Sequence, residues 1–355
     1  DDVALDALDA LRAAYGPPGQ IASLVLPADA SWGELSAARR TGSLSRPRPL
    51  APSDDAVRTA ATALRSGTAA LFLGYDALSV EGLALAHRIG AATGARVLSE
   101  TFPTIQSRGA GVFQPERLIY LSEFAVGQLA PIETLILVGG TTPVGFFGYP
   151  DIPSELLSPS AQVLELSKPG HDSVAGLAAL ADELAAPSVA LPQGSVPERP
   201  SGDLTTLSLA QAVAATLPED TILVDESNTG GLHLYGNLTF AAPHQLLTLT
   251  GGAIGYGLPA AVGAAIGGGG RRVLAIEADG SLMYTPQALW TMARENLDVT
   301  VLALSNRSYA ILNLELGRVG ATSEGAASRR MLDLDDPSID LCSIARAQGV
   351  PAERV

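Results

Sequence analysis

The sequence predicts an α/β fold with two parallel-sheet domains, each built as three layers with helices on both faces of the sheet. Two observations support this prediction: short apolar runs typical of buried strands alternate with helix-like runs, and two proline-rich breaks divide the chain. A third is that 47% of the 355 residues are hydrophobic and only 17% are charged. The chain can therefore bury cores of the size that two such domains need.

The proline-rich breaks at residues 45–52 and 186–200 set the expected domain boundaries. Both are typical of surface linkers because they are rich in residues that neither helices nor strands accept in their interiors. They predict four segments, which are a leader at residues 1–40, a central Rossmann-like domain at 41–187, a linker at 188–203 and a second domain at 204–355.

The central block shows the alternation most simply. Residues 69–73 and 134–138 are apolar runs typical of buried strands, and residues 81–92 have the pattern of a helix. Gly139-Gly140-Thr141-Thr142 follows the second of these strands and lies where a ligand could approach the backbone. No G-x-G-x-x-G arrangement follows it, so the pattern does not predict a dinucleotide site.

The second domain contains a strand–helix–strand unit. Residues 272–276 and 299–304 are predicted strands, and the helix between them is expected to begin with Thr285 as N-cap and to end near Asn296. Such a unit is right-handed and makes its two strands parallel. The run Gly267–Gly270 precedes the first strand, so we interpret it as the end of a helix rather than a phosphate loop.

Polar residues follow both of these strands. Asp279 comes just after the first and Asn306 just after the second, at the sheet edge where open α/β sheets bind ligands. Carboxylate and amide oxygens suit Mg²⁺, which completes its coordination with water and phosphate oxygens. Gly280 and Ser281 could direct backbone amides toward a phosphate group. The pattern therefore predicts a metal site that binds a phosphorylated ligand.

The same residues resemble a known motif. Asp279-Gly280-Ser281, a gap and then Asn306-Arg307-Ser308-Tyr309 is similar to the thiamine-diphosphate motif of the acetolactate synthase and benzoylformate decarboxylase group. Ala278 and Ser305 depart from its usual Gly and first Asn, and neither position is a metal ligand in the family. The resemblance implies that Asp279, Asn306 and the main-chain carbonyl of Ser308 hold Mg²⁺. Gly280, Ser281 and Tyr309 are then expected to contact the cofactor.

Two further segments extend the resemblance over about residues 204–350. Residues 223–230 resemble the family's first diphosphate-contacting loop, with Asn228 and Thr229 in the contacting positions. Taken alone, this segment is more typical of an ordinary strand-to-helix loop with an Asx cap. Residues 251–261 resemble the stretch in which a bulky apolar residue, here Ile254, bends the cofactor. The Gly252 carbonyl matches the one that accepts from the aminopyrimidine amine.

Residues 245–270 carry no charge, which leaves a membrane span as the competing interpretation. Pro259 and the many glycines disfavour an uninterrupted helix, so we expect a buried helix start and no membrane partner. A net charge of −15 with Lys168 as the only lysine argues against nucleic acid. The single cysteine, Cys342, suits the reducing cytoplasm and is expected to be structural.

The leader resembles the end of another domain. Residues 16–29 are similar to the stretch that closes the family's N-terminal pyrimidine-binding domain, so residues 1–40 are expected to be a remnant of it. The glutamate that activates the cofactor would then be absent, which leaves the catalytic residue unknown. The other end also resembles a truncated domain, and we expect this polypeptide alone to be inactive.

The resemblance implies thiamine-diphosphate- and Mg²⁺-dependent decarboxylation of a small 2-oxo acid, with or without carboligation, by a homodimer or homotetramer. FAD is not expected, because the family's Gly-Ala-Arg-Phe-Asp-Asp-Arg run is missing. The alternative is a non-catalytic fragment that binds the cofactor, or one subunit of a two-subunit decarboxylase.

Overall fold

The computed structural model describes residues 2–16, 19–34, 44–45, 47–191, 193–321 and 325–355. The strands in these ranges are β1 (Ala69–Leu73), β2 (Arg96–Ser99), β3 (Gln106–Arg108), β4 (Glu116–Arg117), β5 (Thr134–Val138), β6 (Gln162–Ser167), β7 (Thr221–Glu226), β8 (His244–Thr248), β9 (Val273–Ala278) and β10 (Val299–Leu304).

Helices connect most of these strands. The α-helices are α1 (Val3–Tyr15), α2 (Ala28–Trp32), α3 (Asp54–Arg65), α4 (Val80–Thr93), α5 (Ser122–Leu129), α6 (Ser173–Glu183), α7 (Thr206–Thr216), α8 (Leu234–Asn237), α9 (Gly257–Gly267), α10 (Asp279–Leu282), α11 (Ala288–Arg294), α12 (Ala310–Arg318), α13 (Ala326–Leu332) and α14 (Leu341–Ala347). Short 3₁₀ helices lie at Tyr75–Leu78, Asn228–Gly231, Leu238–Phe240 and Thr250–Gly252.

The central sheet has the strand order β4-β2-β1-β5-β6, and all its neighbouring strands are parallel. Alternate residues of β1 enter different cores: Leu71 and Leu73 pack with α3, α4 and α6, and Phe72 packs with α5 on the opposite face. All three side chains are at most 2% exposed. Burial of each stabilises the fold by about 1.5–3 kcal/mol, so the apolar run at residues 69–73 is held from both sides.

The second sheet has the order β10-β9-β7-β8-β3. The first four strands are parallel, and their buried residues pack against α9, α11 and α14 on one face and against α7 and α8 on the other. Two mostly parallel sheets with flanking helices confirm the predicted fold class.

The edge strand β3 was not foreseen, because it comes from the segment at residues 41–187 yet belongs to the second sheet. It pairs antiparallel with β8, and Arg108 lies opposite His244. The Arg108 side chain is fully buried, donates to the carbonyl of Tyr235 at 2.6 Å and stacks 3.4 Å above the Tyr235 ring. This strand joins the two halves of the chain.

Several predicted elements are confirmed at their exact bounds, namely the strands at residues 69–73, 134–138 and 299–304. The helix predicted at 81–92 is α4, and α9 ends at Gly267 as expected of the glycine run. The helix predicted from Thr285 to Asn296 is wrong at its start. It begins at Ala288, because the Thr285 hydroxyl donates to the carbonyl of Gly255 at 2.9 Å instead of capping a helix.

Residues 188–191 and 193–203 form neither helix nor strand, in the range predicted as a linker. In the described part of the chain, no helix combines the length and the hydropathy needed to cross a bilayer. The uncharged stretch at residues 245–270 is instead divided among β8, a short 3₁₀ helix and α9.

Candidate functional site

Three neighbouring strands of the second sheet end at the same edge. The β9–β10 register pairs Ala278 with Leu304, and the β7–β9 register pairs Glu226 with Glu277. The residues that follow these strands therefore lie side by side, as expected for parallel strands. This places the loops after β7, β9 and β10 around one space.

A single cavity at this edge contains nine of the ten residues expected to hold cofactor or metal. Gly252 does not line it and lies in the exposed turn after β8, where a Cβ would sit 3.8 Å from the Phe146 ring. The sequence did not indicate Ala278, Ala310 and Ile311 as lining residues. The residues that line the cavity are Asn228, Thr229, Ile254, Ala278, Asp279, Gly280, Ser281, Asn306, Ser308, Tyr309, Ala310 and Ile311.

Asp279 lies at the base of the cavity and is only 2% exposed. One carboxylate oxygen accepts from the Gly280 amide at 2.9 Å, and the other accepts from the Arg307 amide at 2.7 Å. The second contact connects the loop after β9 with the loop after β10. These two hydrogen bonds orient the carboxylate before any cation binds. Each oxygen keeps a further lone pair that could bind a cation.

The loop after β10 is folded on itself. The Asn306 side-chain oxygen accepts from the Ser308 amide at 3.0 Å, which is the Asx turn that this residue favours. The Tyr309 amide donates to Leu332 at 2.8 Å, and Leu334 donates back to Arg307 at 2.7 Å. The segment after α13 therefore holds the loop that carries the predicted metal ligands.

Asn228 connects the other two loops. Its side-chain amide donates to the Ser281 hydroxyl at 2.8 Å, across the gap between β7 and β9. Its φ of 49° lies in the left-handed region, which asparagine tolerates better than most residues. Thr229 follows in the same 3₁₀ turn and also lines the cavity.

Ile254 reaches the cavity from the segment between β8 and α9. The chain turns sharply before it, with φ of 73° at Gly251 and 69° at Gly252. After it, a Cβ at Gly255 would lie 2.6 Å from the Tyr284 side chain, so this glycine is required for close packing. These glycines let a bulky apolar side chain stand beside the polar loops.

Sequence reasoning missed two buried acids below the cavity. Glu226 is the last residue of β7 and Glu277 the next-to-last residue of β9, and they are 1% and 0% exposed. Burial, followed by the charge of Glu226, raises the pKa of Glu277 to about 9, so Glu277 is protonated at neutral pH. The signal that could have found them is an acid at the end of an apolar, strand-like run.

The donor set fits Mg²⁺ bound through a phosphorylated ligand. Among the described residues, no group of three or more His, Cys, Asp or Glu side chains could hold a metal by itself. The cavity offers the carboxylate of Asp279 and the amide oxygen of Asn306, both hard ligands. A cation there would need oxygens from its ligand, and the Gly280–Ser281 backbone lies beside it.

Comparison with known proteins relates the chain to one family. Residues 229–355 match the family described as thiamine pyrophosphate enzyme, C-terminal TPP binding domain. The chain is 49% identical over 357 residues to the "Putative acetolactate synthase large subunit IlvX" of Mycobacterium tuberculosis, covering 100% of this chain and 68% of that protein.

More distant relatives match part of the chain or share its fold. Benzoylformate decarboxylase of Pseudomonas aeruginosa is 31% identical over 163 residues, covering 46% of this chain and 30% of that protein. The crystal structure of benzoylformate decarboxylase from Polynucleobacter necessarius superposes with a TM-score of 0.76 at 21% identity, covering 100% of this chain and 69% of that chain.

Proposed function

Since the chain belongs to the thiamine-diphosphate-dependent enzyme family of acetolactate synthase large subunits and benzoylformate decarboxylases, we propose that it holds thiamine diphosphate and Mg²⁺ for decarboxylation of a small 2-oxo acid, with or without carboligation. The observation that carries this proposal is the single cavity formed by the loops after β7, β9 and β10 together with Ile254. These segments are distant in sequence, and the parallel strands of the second sheet bring them to one space.

Each group has a distinct part in binding. Asp279 and Asn306 would hold the cation with the Ser308 carbonyl, and Asn228, Thr229 and the Gly280–Ser281 backbone would position the diphosphate. Fixed hydrogen bonds orient Asp279 beforehand, so binding costs little reorganisation. Ile254 presents an apolar surface at the side of the cavity and would exclude water there. When bound, the cofactor supplies an electron sink for loss of CO₂.

No catalytic residue is assigned on this chain. The proton-handling group is expected in a pyrimidine-binding domain, and the chain spans 68% of the length of the M. tuberculosis relative. We therefore keep the second candidate, a cofactor-holding polypeptide that needs another chain or segment for turnover. Activity of this polypeptide alone on pyruvate or benzoylformate, with cofactor and Mg²⁺ added, would exclude that candidate.

Replacement of the principal metal ligand tests the proposal. Asp279→Ala removes the carboxylate at the base of the cavity, and we expect it to abolish Mg²⁺-dependent binding of thiamine diphosphate. The measurement is isothermal titration calorimetry at fixed Mg²⁺.

The matched control is Asp298→Ala, which removes an exposed acid before β10, at the opposite edge of the same sheet. This variant should bind like the unaltered protein. Equal affinity of the Asp279 variant and the control would contradict the assignment of the cavity.

We further propose a cytoplasmic homodimer or homotetramer without FAD. Large apolar side chains on helices of the second half of the chain are exposed, including Trp290, Leu312 and Met331, which supports association. In the central sheet, a Cβ at Gly74 would lie 2.9 Å from the Gly139 carbonyl. The loops after β1 and β5 therefore touch where a dinucleotide would enter, which supports a central domain without flavin.

A further inference from the structure

We propose that Glu226 is a positioning residue that connects two sides of the cavity, the loop that carries Asn228 and the segment that carries Ile254. This role rests on the proposed function. It stands at the end of β7, two residues before Asn228, which lines one side of the cavity. Its carboxylate reaches the backbone of the segment that carries Ile254 to the other side. One side chain thus sets the distance between the polar and the apolar walls.

The backbone amides that donate to the Glu226 carboxylate all belong to that segment. One carboxylate oxygen accepts from the amide of Gly255 at 2.6 Å and from the amide of Tyr256 at 3.3 Å. The other accepts from the amide of Gly257, the first residue of α9, at 2.5 Å. A charged acceptor satisfies amides that the first turn of a helix leaves without intrahelical partners, and such bonds are stronger than neutral ones.

The same segment is held from its other side. The Thr285 hydroxyl donates to the carbonyl of Gly255 at 2.9 Å, while Glu226 accepts from the amide of that residue. The backbone immediately after Ile254 is therefore fixed at both its donor and its acceptor. Glu226 connects it to β7, and Thr285 connects it to the segment after α10.

Close packing excludes other ways of satisfying these amides. Glu226 is 1% exposed, and the carboxyl group of Glu277 lies against Gly257 so closely that a Cβ at this glycine would overlap it. The two carboxyl groups fill this space. If the side chain at position 226 were shorter or neutral, water could reach the unpaired amides only if the segment moved.

This arrangement predicts that a substitution of Glu226 weakens binding of thiamine diphosphate more than binding of inorganic diphosphate. Glu226→Gln presents an amide donor to backbone donors, so Ile254 should lose its fixed place. We expect affinity for thiamine diphosphate to fall roughly ten- to hundred-fold. Affinity for inorganic diphosphate with Mg²⁺ should change less than about two-fold, because Asp279 and Asn306 do not contact Glu226. Both affinities are measured by calorimetry.

Amide hydrogen exchange gives a second measurement that needs no cofactor. The amides of Gly255, Tyr256 and Gly257 should exchange faster in Glu226→Gln than in the unaltered protein. Glu226→Asp retains the charge and should restore part of the protection and of the cofactor affinity. The matched control is Glu219→Gln, an exposed acid just before β7, which should change neither quantity.

The possible results separate this inference from the proposed function. Unchanged cofactor affinity with unchanged exchange in Glu226→Gln would overturn the inference, as would an equal loss of cofactor and diphosphate binding. If the unaltered protein binds neither ligand, the proposed function fails, and the positioning role toward the cofactor fails with it. Should Glu226→Gln not fold, judged by circular dichroism, the Glu226→Asp variant decides between the same outcomes.

Discussion

Gly280 shows how one missing side chain shapes the cavity. A Cβ at this position would overlap the ring of Tyr309, which also lines the cavity. Gly280 itself is buried, so an added methyl group could be accommodated only if the ring moved. Gly263 differs, because it lies in the exposed middle of α9 and a Cβ there would meet no atom within 4 Å outside its own helix.

These two glycines should respond in opposite directions. We expect Gly280→Ala to destabilise the fold by about 1–3 kcal/mol through overpacking and to weaken cofactor binding. Gly263→Ala should stabilise it by about 0.5–1 kcal/mol, because alanine restricts the unfolded chain and suits a helix. Urea unfolding followed by tryptophan fluorescence measures both. A Gly280→Ala variant as stable as the Gly263→Ala variant would show that the Tyr309 ring is free to move.

The sequence predicted some residues of the candidate site and missed others for physical reasons. Asp279 and Asn306 could be identified because an acid and an amide after two parallel strands must share an edge, whatever the exact register. The contact of Glu226 with the start of α9 depends on how far the β8–α9 segment folds back, which spacing along the chain does not determine. Gly252 was included only by resemblance, and the structure places it outside the cavity.

At the scale of elements, β8 begins with a buried histidine. His244 is 5% exposed; its Nδ1 lies 2.7 Å from the Ala242 carbonyl, and its Nε2 has no hydrogen-bond partner in the described part of the chain. Burial lowers the pKa of His244 to about 4, with the charge of Arg108 as a smaller cause. The folded protein therefore keeps this ring neutral under conditions where an unfolded chain would protonate it.

The stability of the fold should consequently fall in acid. Between about pH 6.5 and 4, His244 is protonated in the unfolded state but neutral in the folded state. This residue therefore lowers the free energy of unfolding as the pH decreases, by up to about 3 kcal/mol. His244→Asn retains a donor for Ala242 but does not titrate. Its free energy of unfolding should vary less with pH over this range. An identical pH profile in both proteins would assign the acid sensitivity to other groups.

Element boundaries illustrate a different limit of sequence reasoning. Thr285 and Pro286 have the residue types of a helix start, yet α11 begins at Ala288. The competing interaction is the contact between the Thr285 hydroxyl and Gly255, a residue thirty positions away. Local propensity is a weak preference that one tertiary hydrogen bond can override. Two of the strands predicted at their exact ends, β1 and β5, are buried along their whole length, so burial on both faces outweighs local preferences there.

At the scale of the whole molecule, a polar network connects the central segment with α12, the helix that follows the loop after β10. Tyr120 donates to the Glu315 carboxylate at 3.2 Å, and Tyr149 donates to its other oxygen. Arg318 contacts Glu315 at 3.0 Å and Glu123 at 2.5 Å. Arg318 is only 14% exposed, so these contacts are less screened than surface ion pairs.

Removal of the shared acceptor should loosen the connection between the two sheets. Glu315→Ala leaves Arg318 and both tyrosine hydroxyls without their common partner, and we expect the thermal midpoint to fall by about 2–5 °C with a broader transition. Differential scanning calorimetry measures this, with Glu165→Ala, an exposed acid paired with Lys168, as the control. A sharp, unshifted transition would mean that the network adds nothing to cooperativity.

Strand β3 has a consequence for how the protein is made. The ribosome synthesises residues 106–108 well before their partner β8 at residues 244–248. This short strand therefore has no pairing partner until β8 has been synthesised. The fully buried side chain of Arg108 can acquire its stacking partner Tyr235 only when that later segment emerges. The first half of the chain thus cannot reach its final form alone, and the nascent polypeptide must keep one segment available for a region not yet synthesised.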